Sequence, residues 1–254
     1  MKSFSMPKFV KPLVFAGVLL TLPFLFIEPV LGLDIIWPLP TPAPGENPAT
    51  FPVPRLDWLD HFKANLDRVQ GKNFALVFDG DSITDFWQST GKDVWAQHYA
   101  ALNATDFGIS GDRTEHLLWR LQQGQINGIT PKLIVLMIGT NNTKRDSASQ
   151  IADGIKAIVA EYRKRCPEAH ILLLAVFPRD GARDPIRSKI ADINKSISVL
   201  DDGTHVTYLD IGEKFLDQGG NIPKDVMPDG LHPSAKGYQI WADAIQPVID
   251  KYCK

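Results

Sequence analysis

Cysteine is scarce in this chain of 254 residues, with only Cys166 and Cys253. Two are too few for a disulfide-built scaffold, so a hydrophobic core must supply the stability. They could pair, but the sequence does not place their Cα atoms. Neither lies in a C-x-x-C or Cys/His ligand spacing, the six histidines are scattered, and H-E-x-x-H is missing, so no zinc site is indicated. An excess of one charge is lacking too. The formal net charge of -2 excludes the basic footprint of a nucleic-acid binder. There is no internal repeat and no sign of a second domain. With 44% hydrophobic and 22% charged residues, the composition is that of an ordinary globular protein. Roughly 200 residues remain beyond the N-terminal region, enough for one domain with a full core.

Leu13 to Ile27 is a long uncharged apolar run, preceded by Lys2, Lys8 and Lys11. This pattern predicts an export signal over residues 1–32, with Val30 and Gly32 at the small-residue positions of a cleavage site. The run is shorter than the ~20 residues of a spanning helix, and Pro23 and Glu28 oppose that reading. An uncleaved anchor is the alternative. No cysteine follows the run, which argues against a lipid-modified N-terminus. The protein is therefore expected in the periplasm or secreted, touching a membrane only if the signal stays attached. Residues 33–54 are rich in proline and predict an extended tether. The domain is expected over 55–254.

Within it, apolar runs alternate with helical periodicity. Strands are predicted over 74–78, 101–107, 133–138, 171–176 and 206–209. Helices are predicted over 55–70, 94–99, 114–123, 149–165, 184–200 and 234–252. The strands are continuous apolar stretches, as expected when both faces of a sheet are covered. The fold class is thus α/β, a doubly wound domain with a parallel sheet. Ligands of such sheets bind beyond the carboxyl ends of the strands, and three successive strands here end in loops of glycine and small polar residues.

The first of these, Phe74 to Phe78 followed by Asp79-Gly80-Asp81-Ser82, puts a serine at a strand tip. Ser82 is either a nucleophile or an N-cap for the next helix. A serine nucleophile needs a base and donors for an oxyanion. Asp229 and His232 lie three residues apart in a loop stiffened by Pro228 and Pro233, close enough for the carboxylate to orient the imidazole. A capping Asp beside a surface His fits the same residues. Gly111 could let backbone approach a ligand, and Asn141 offers side-chain N–H donors; a turn glycine and an Asx-turn are the competing readings. All four lie at predicted strand tips or in the last loop, so all could converge on one crevice with Ser82.

Gly80-Asp81-Ser82, Gly108 to Asp112, Gly139 to Asn142 and Asp229 to His232 resemble the four signature blocks of the SGNH/GDSL hydrolases, in family order. The resemblance covers about 57–252. It implies a three-layer α/β/α sandwich with a five-stranded, flavodoxin-like sheet. It also implies Ser82 as nucleophile, with His232 as base and Asp229 orienting it. The Ser82 and Gly111 amides and the Asn141 side chain would form the oxyanion hole. Gly111 to Leu121 with Gly124, and Phe177-Pro178-Arg179 with Asp184 to Arg187, are similar to the catalytic subunits of the brain-type platelet-activating-factor acetylhydrolases, which act on acetyl esters. The expected activity is an exported serine esterase for short acyl groups on a small-molecule or glycan ester, with no cofactor and no metal. A lysophospholipase or thioesterase for longer chains is the alternative, and a silent carbohydrate-binding module a third reading. The resemblance leaves the oligomeric state open.

Asp79 departs from the family pattern, in which an apolar residue is usual; its role does not follow from the sequence. Trp87, Trp95 and Trp119 could line a subsite, with packing favoured for Trp119. Asp112 and Arg113 could buttress the oxyanion loop as an ion pair. His116 is not assigned to catalysis.

Overall fold

The computed structural model describes residues 39–254; the predicted export signal lies outside the described residues. Among these residues five strands form: β1 (Leu76–Gly80), β2 (Ala104–Asp106), β3 (Leu133–Met137), β4 (His170–Leu174) and β5 (Val206–Leu209). They form one parallel sheet in the order β2-β1-β3-β4-β5. That is the flavodoxin-like order, so the chain reverses its direction of winding between β1 and β3. Among the described residues seven α-helices accompany the sheet: α1 (Leu59–Val69), α2 (Ser82–Asp85), α3 (Lys92–His98), α4 (Thr114–Gln122), α5 (Ala148–Arg165), α6 (Pro185–Ser198) and α7 (Ala235–Cys253).

Strand alternation divides the core in two. Val77, Ile134, Leu136, Ile171 and Leu173 face one way and meet Leu117, Ile155, Ile158 and Ile193 of α4, α5 and α6. Leu76, Phe78, Val135, Met137 and Leu172 face the other way and meet Trp87, Tyr99, Tyr238, Trp241 and Ile245 around α3 and α7. Helices therefore cover both faces, which gives the three layers expected.

The predicted elements all form, with shifted ends. β2 is only three residues long. The helix expected from Ser149 begins at Ala148, because Ser147 caps it and Gln150 bonds back in a capping box. Part of the predicted tether is not free. Ala49 is fully buried, the Thr114 hydroxyl donates to its carbonyl at 2.8 Å, and Asn47 Nδ2 donates to Gln150 O at 3.1 Å. The Val53 amide reaches Glu115 O. Residues 47–53 thus lie against α4 and α5. Cys166 and Cys253 are both free.

Candidate active site

β1 ends on Gly80. A Cβ there would stand 2.1 Å from Met137 O and 2.4 Å from Thr84 Oγ1, so glycine alone lets the strand close on β3 and turn into α2. Asp81 caps that helix, its Oδ1 accepting from the Ile83 amide at 3.0 Å. Ser82 is therefore the first helical residue and not the cap. Its hydroxyl turns to the ring of His232, with Oγ 2.9 Å from Nε2.

His232 comes from the loop before α7. Gly230 turns that loop in the left-handed region, φ +76°, and its amide donates to Met227 O at 3.0 Å. The turn folds Asp229 back on the residues after it. Its Oδ1 accepts from the amides of Leu231 and His232 at 2.9 and 2.8 Å, and its Oδ2 lies 2.6 Å from His232 Nδ1. Burial works to raise the Asp229 pKa. Hydrogen bonds from the His232 ring, the His232 amide and the Leu231 amide outweigh it and hold the carboxyl at about 2. An ionised carboxylate only accepts, so Nδ1 carries the ring proton. Nε2 is then the lone pair that accepts from the Ser82 hydroxyl. Phe86 lies beside the imidazole, ring centroids 5.0 Å apart.

The loops after β2 and β3 flank this line, because β1 sits between those strands. Gly111 holds φ +82°. Among the described residues, neither its amide nor that of Ser82 donates to another protein group. Asn141 Nδ2 donates to Asp112 O at 2.9 Å, which joins the two loops and leaves its second N–H available. The structure thus joins Ser82, His232 and Asp229 directly. It places Gly111 and Asn141 on the neighbouring loops at the same sheet edge.

Several residues that hold these loops carried no legible role in the sequence. The Ser110 amide and hydroxyl donate to Asp85 Oδ2 at 3.2 and 2.5 Å, and Arg55 Nη1 donates to Ser110 O. Asn142 accepts from the Thr114 amide at 3.0 Å and donates to Asp146 Oδ2 at 2.8 Å, docking the start of α4 on the β3 loop. Arg179 is buried, donating to Thr140 Oγ1 at 3.3 Å and to Asp180 Oδ2 at 2.8 Å. The Asp180 amide in turn donates to Gly230 O at 2.8 Å. That clasp ties the Asn141 loop to the His232 loop.

Other expectations are corrected. Asp112 does not pair with Arg113: its Oδ2 accepts from Arg120 Nε at 2.7 Å, while Arg113 Nε donates to Glu115. Trp87 and Trp95 are no subsite, since both pack around Phe78 and Tyr99 in the core. Trp119 packs edge-on against Phe62. His116 accepts the Arg113 amide at Nδ1, and burial with the surrounding arginines pushes its pKa down to about 2. It is a neutral structural acceptor. A cavity of about 370 Å³ opens between Arg187, Tyr208 and Glu213, and none of Ser82, Asn141 or His232 lines it. Among the described residues no cluster of metal-ligating side chains occurs and no helix is long and apolar enough to cross a membrane.

The sequence model of the GDSL-like lipase/acylhydrolase family matches residues 78–240, from β1 into α7. The chain belongs to this family. The alpha1 subunit of platelet-activating factor acetylhydrolase IB from Rattus norvegicus is 34% identical over 201 residues, covering 76% of the chain and 85% of that subunit. The alpha2 subunit from the same animal is 35% identical over 199 residues, 76% and 86% of the two chains. Among solved structures, a GDSL-like lipase from Bacteroides thetaiotaomicron has a TM-score of 0.60 at 20% identity, over 77% of this chain and 96% of that one. An acetylxylan esterase from Geobacillus stearothermophilus, solved as a catalytic mutant, has a TM-score of 0.55 at 20% identity, over 68% and 93%. These two share the fold. The GDSL chain described here is a carboxylic ester hydrolase.

Proposed function

We propose that the protein is an exported serine esterase that removes short acyl groups, acetyl first, from a carbohydrate or other small ester. The observation that carries the reading is the hydrogen-bonded line from Ser82 through His232 to Asp229 at the point where the sheet reverses its winding. Ser82 Oγ attacks the ester carbonyl and its proton passes to His232 Nε2. The carbonyl oxygen becomes an oxyanion facing the Ser82 and Gly111 amides and Asn141 Nδ2. Collapse expels the alcohol, which takes the proton from Nε2 and leaves Ser82 acylated. Water then gives a proton to Nε2 and attacks the acyl-enzyme; collapse breaks the acyl bond to Ser82 Oγ, which takes that proton back from Nε2 as the acid is released. Asp229 stays ionised and stabilises the imidazolium throughout.

The acetyl preference is supported by the relatives' names. A platelet-activating factor acetylhydrolase and an acetylxylan esterase differ in the alcohol and share the acetyl group. Export is supported by Lys2, Lys8, Lys11 and the apolar run that follows them.

Ser82→Ala should fold normally and lose about 10⁴-fold or more of kcat on p-nitrophenyl acetate. Normal turnover by that variant would refute the nucleophile. A series of p-nitrophenyl esters tests the acyl group: a maximum at eight carbons or beyond would replace the acetyl reading with a long-chain one.

A further inference from the structure

Asp79 is the residue for which the sequence offered no role. It is the fourth residue of β1, fully buried, and its side chain faces α4 and α5. A carboxylate in that position needs partners, and it has four. The Gly80 amide donates to Oδ1 at 2.9 Å and Arg120 Nη2 to Oδ1 at 3.1 Å. Gln125 Nε2 donates to Oδ2 at 2.6 Å, and the Tyr162 hydroxyl donates to the same oxygen. Arg120, in α4, is only 3% exposed, and each of its three guanidinium nitrogens has an acceptor. Besides Asp79, Nη2 reaches Gly80 O at 3.3 Å, Nη1 donates to Gln125 Oε1, and Nε donates to Asp112 Oδ2 at 2.7 Å. One rigid guanidinium therefore grips both the end of the strand that carries Ser82 and the residue that follows Gly111.

We propose that Arg120 is a positioning residue for the oxyanion hole, holding the Gly111 loop in register with Ser82 through Asp112 and Asp79. The inference rests on the roles given above to Ser82, Gly111 and Asn141. Asp112 serves twice, since its carboxylate is held by Arg120 and its carbonyl accepts from Asn141 Nδ2. Two of the three oxyanion donors thus meet at the residue that Arg120 fixes. The other side of Gly111 is fixed separately, by Ser110 on Asp85. The planar fork of arginine suits this task because it sets distances between partners, which a point charge does not.

The energetics favour a geometric role. Burial raises the pKa of both carboxyls, that of Asp112 to about 6, against the pull of Arg120. Two buried carboxylates around one buried cation are weak evidence for stability, since apolar side chains of the same volume often stabilise as well or better. What apolar side chains cannot reproduce is the fixed spacing between strand end and loop.

Arg120→Lys and Asp112→Asn test the proposal, with kcat and KM measured on p-nitrophenyl acetate beside thermal melts. Lysine keeps the charge but cannot span both carboxylates, and asparagine keeps the shape of Asp112. Oxyanion donors act on the transition state, so kcat should fall about 10- to 100-fold while KM stays within about threefold. Tyr162→Phe removes a partner of Asp79 that does not touch the loop. It should lower the melting temperature and leave kcat unchanged. The proposal fails if the two loop-linked variants fold and keep kcat within twofold of the parent. It also fails if Tyr162→Phe slows turnover equally, or if neither loop-linked variant folds, which would make the network structural. Should Arg120→Lys alone fail to fold, Asp112→Asn decides on the same criteria. An inactive parent enzyme, or an active Ser82→Ala, would instead overturn the esterase site itself.

Discussion

Asp106 closes β2 with a carboxyl that water does not reach. Burial pushes its pKa up to about 8, although the Gly108 amide donates to Oδ1 at 2.8 Å and Gln88 Nε2 to Oδ2 at 3.3 Å. In the unfolded chain the same group titrates near 3.9. Between about pH 4 and pH 8 the folded state therefore holds a proton that the unfolded state has released. Stability from this group falls as pH rises through that window. Asp106→Asn removes the ionisation and can keep both contacts, accepting from Gly108 and donating to the Gln88 side-chain oxygen. Its melting temperature relative to the parent should rise between pH 5 and pH 8. A difference that is flat across that range would show that the carboxyl titrates normally. At this scale the sequence exposes an anomaly without its resolution. A charge in an apolar strand signals that Asp79 has a partner, but Arg120 lies 41 residues away and only the sheet brings it near. Asp112 shows the same limit. Its neighbour Arg113 was the obvious partner, yet the start of α4 turns Arg113 toward Glu115 and Arg120 toward Asp112.

Elements meet here through glycines whose missing side chains set the approach. Gly154 is the clearest case. It lies inside α5, where replacement by alanine would ordinarily gain up to about 1 kcal/mol in helix propensity. A Cβ at that position would stand 2.5 Å from Thr114 Oγ1 and 2.6 Å from Ala49 O. The latter is backbone and cannot move aside cheaply. Gly154→Ala should therefore destabilise, by about 1–3 kcal/mol, despite its better helix propensity. Urea unfolding measures this, and a gain in stability would mean that α4 and residues 47–53 sit further from α5 than described. The elements themselves were legible because their signals are local. Apolar runs gave the strands, and Ile151, Ile155, Ile158 and Tyr162 gave the buried stripe of α5. Aromatic residues were less legible, because Trp87 reads equally as core or as subsite until the α3–α7 face of the sheet is known.

Across the whole molecule, Ser82 and His232 are 150 residues apart in sequence and meet in space. That meeting was legible because each block pairs an apolar strand or stiffened loop with a small polar cluster, and a parallel sheet sends every strand tip to one edge. The N-terminal boundary was not legible in the same way. Pro48, Pro52 and Pro54 lack amide hydrogens and favour extended backbone, the composition of a tether. Docking of that stretch depends on α4 and α5, far along the chain. Asn47 reaches Gln150, Ala49 is sealed beneath Thr114, Val53 bonds to Glu115, and Arg55 reaches the Ser110 carbonyl of the Gly111 loop. Residues 47–55 therefore brace the α4–α5 layer, and Arg55 at their end touches the loop that flanks Ser82. Two shortened chains separate a tether from a brace. One begins at residue 46 and should melt with the parent. The other begins at residue 55, loses every contact of residues 47–53, and should melt about 5 °C lower or more, as expected for ~2 kcal/mol in a domain of this size. Equal melting of the two would return residues 47–53 to the role of a linker. With Arg55 retained in both, a fall in kcat confined to the shorter chain would show that bracing of α4 and α5 reaches the esterase site.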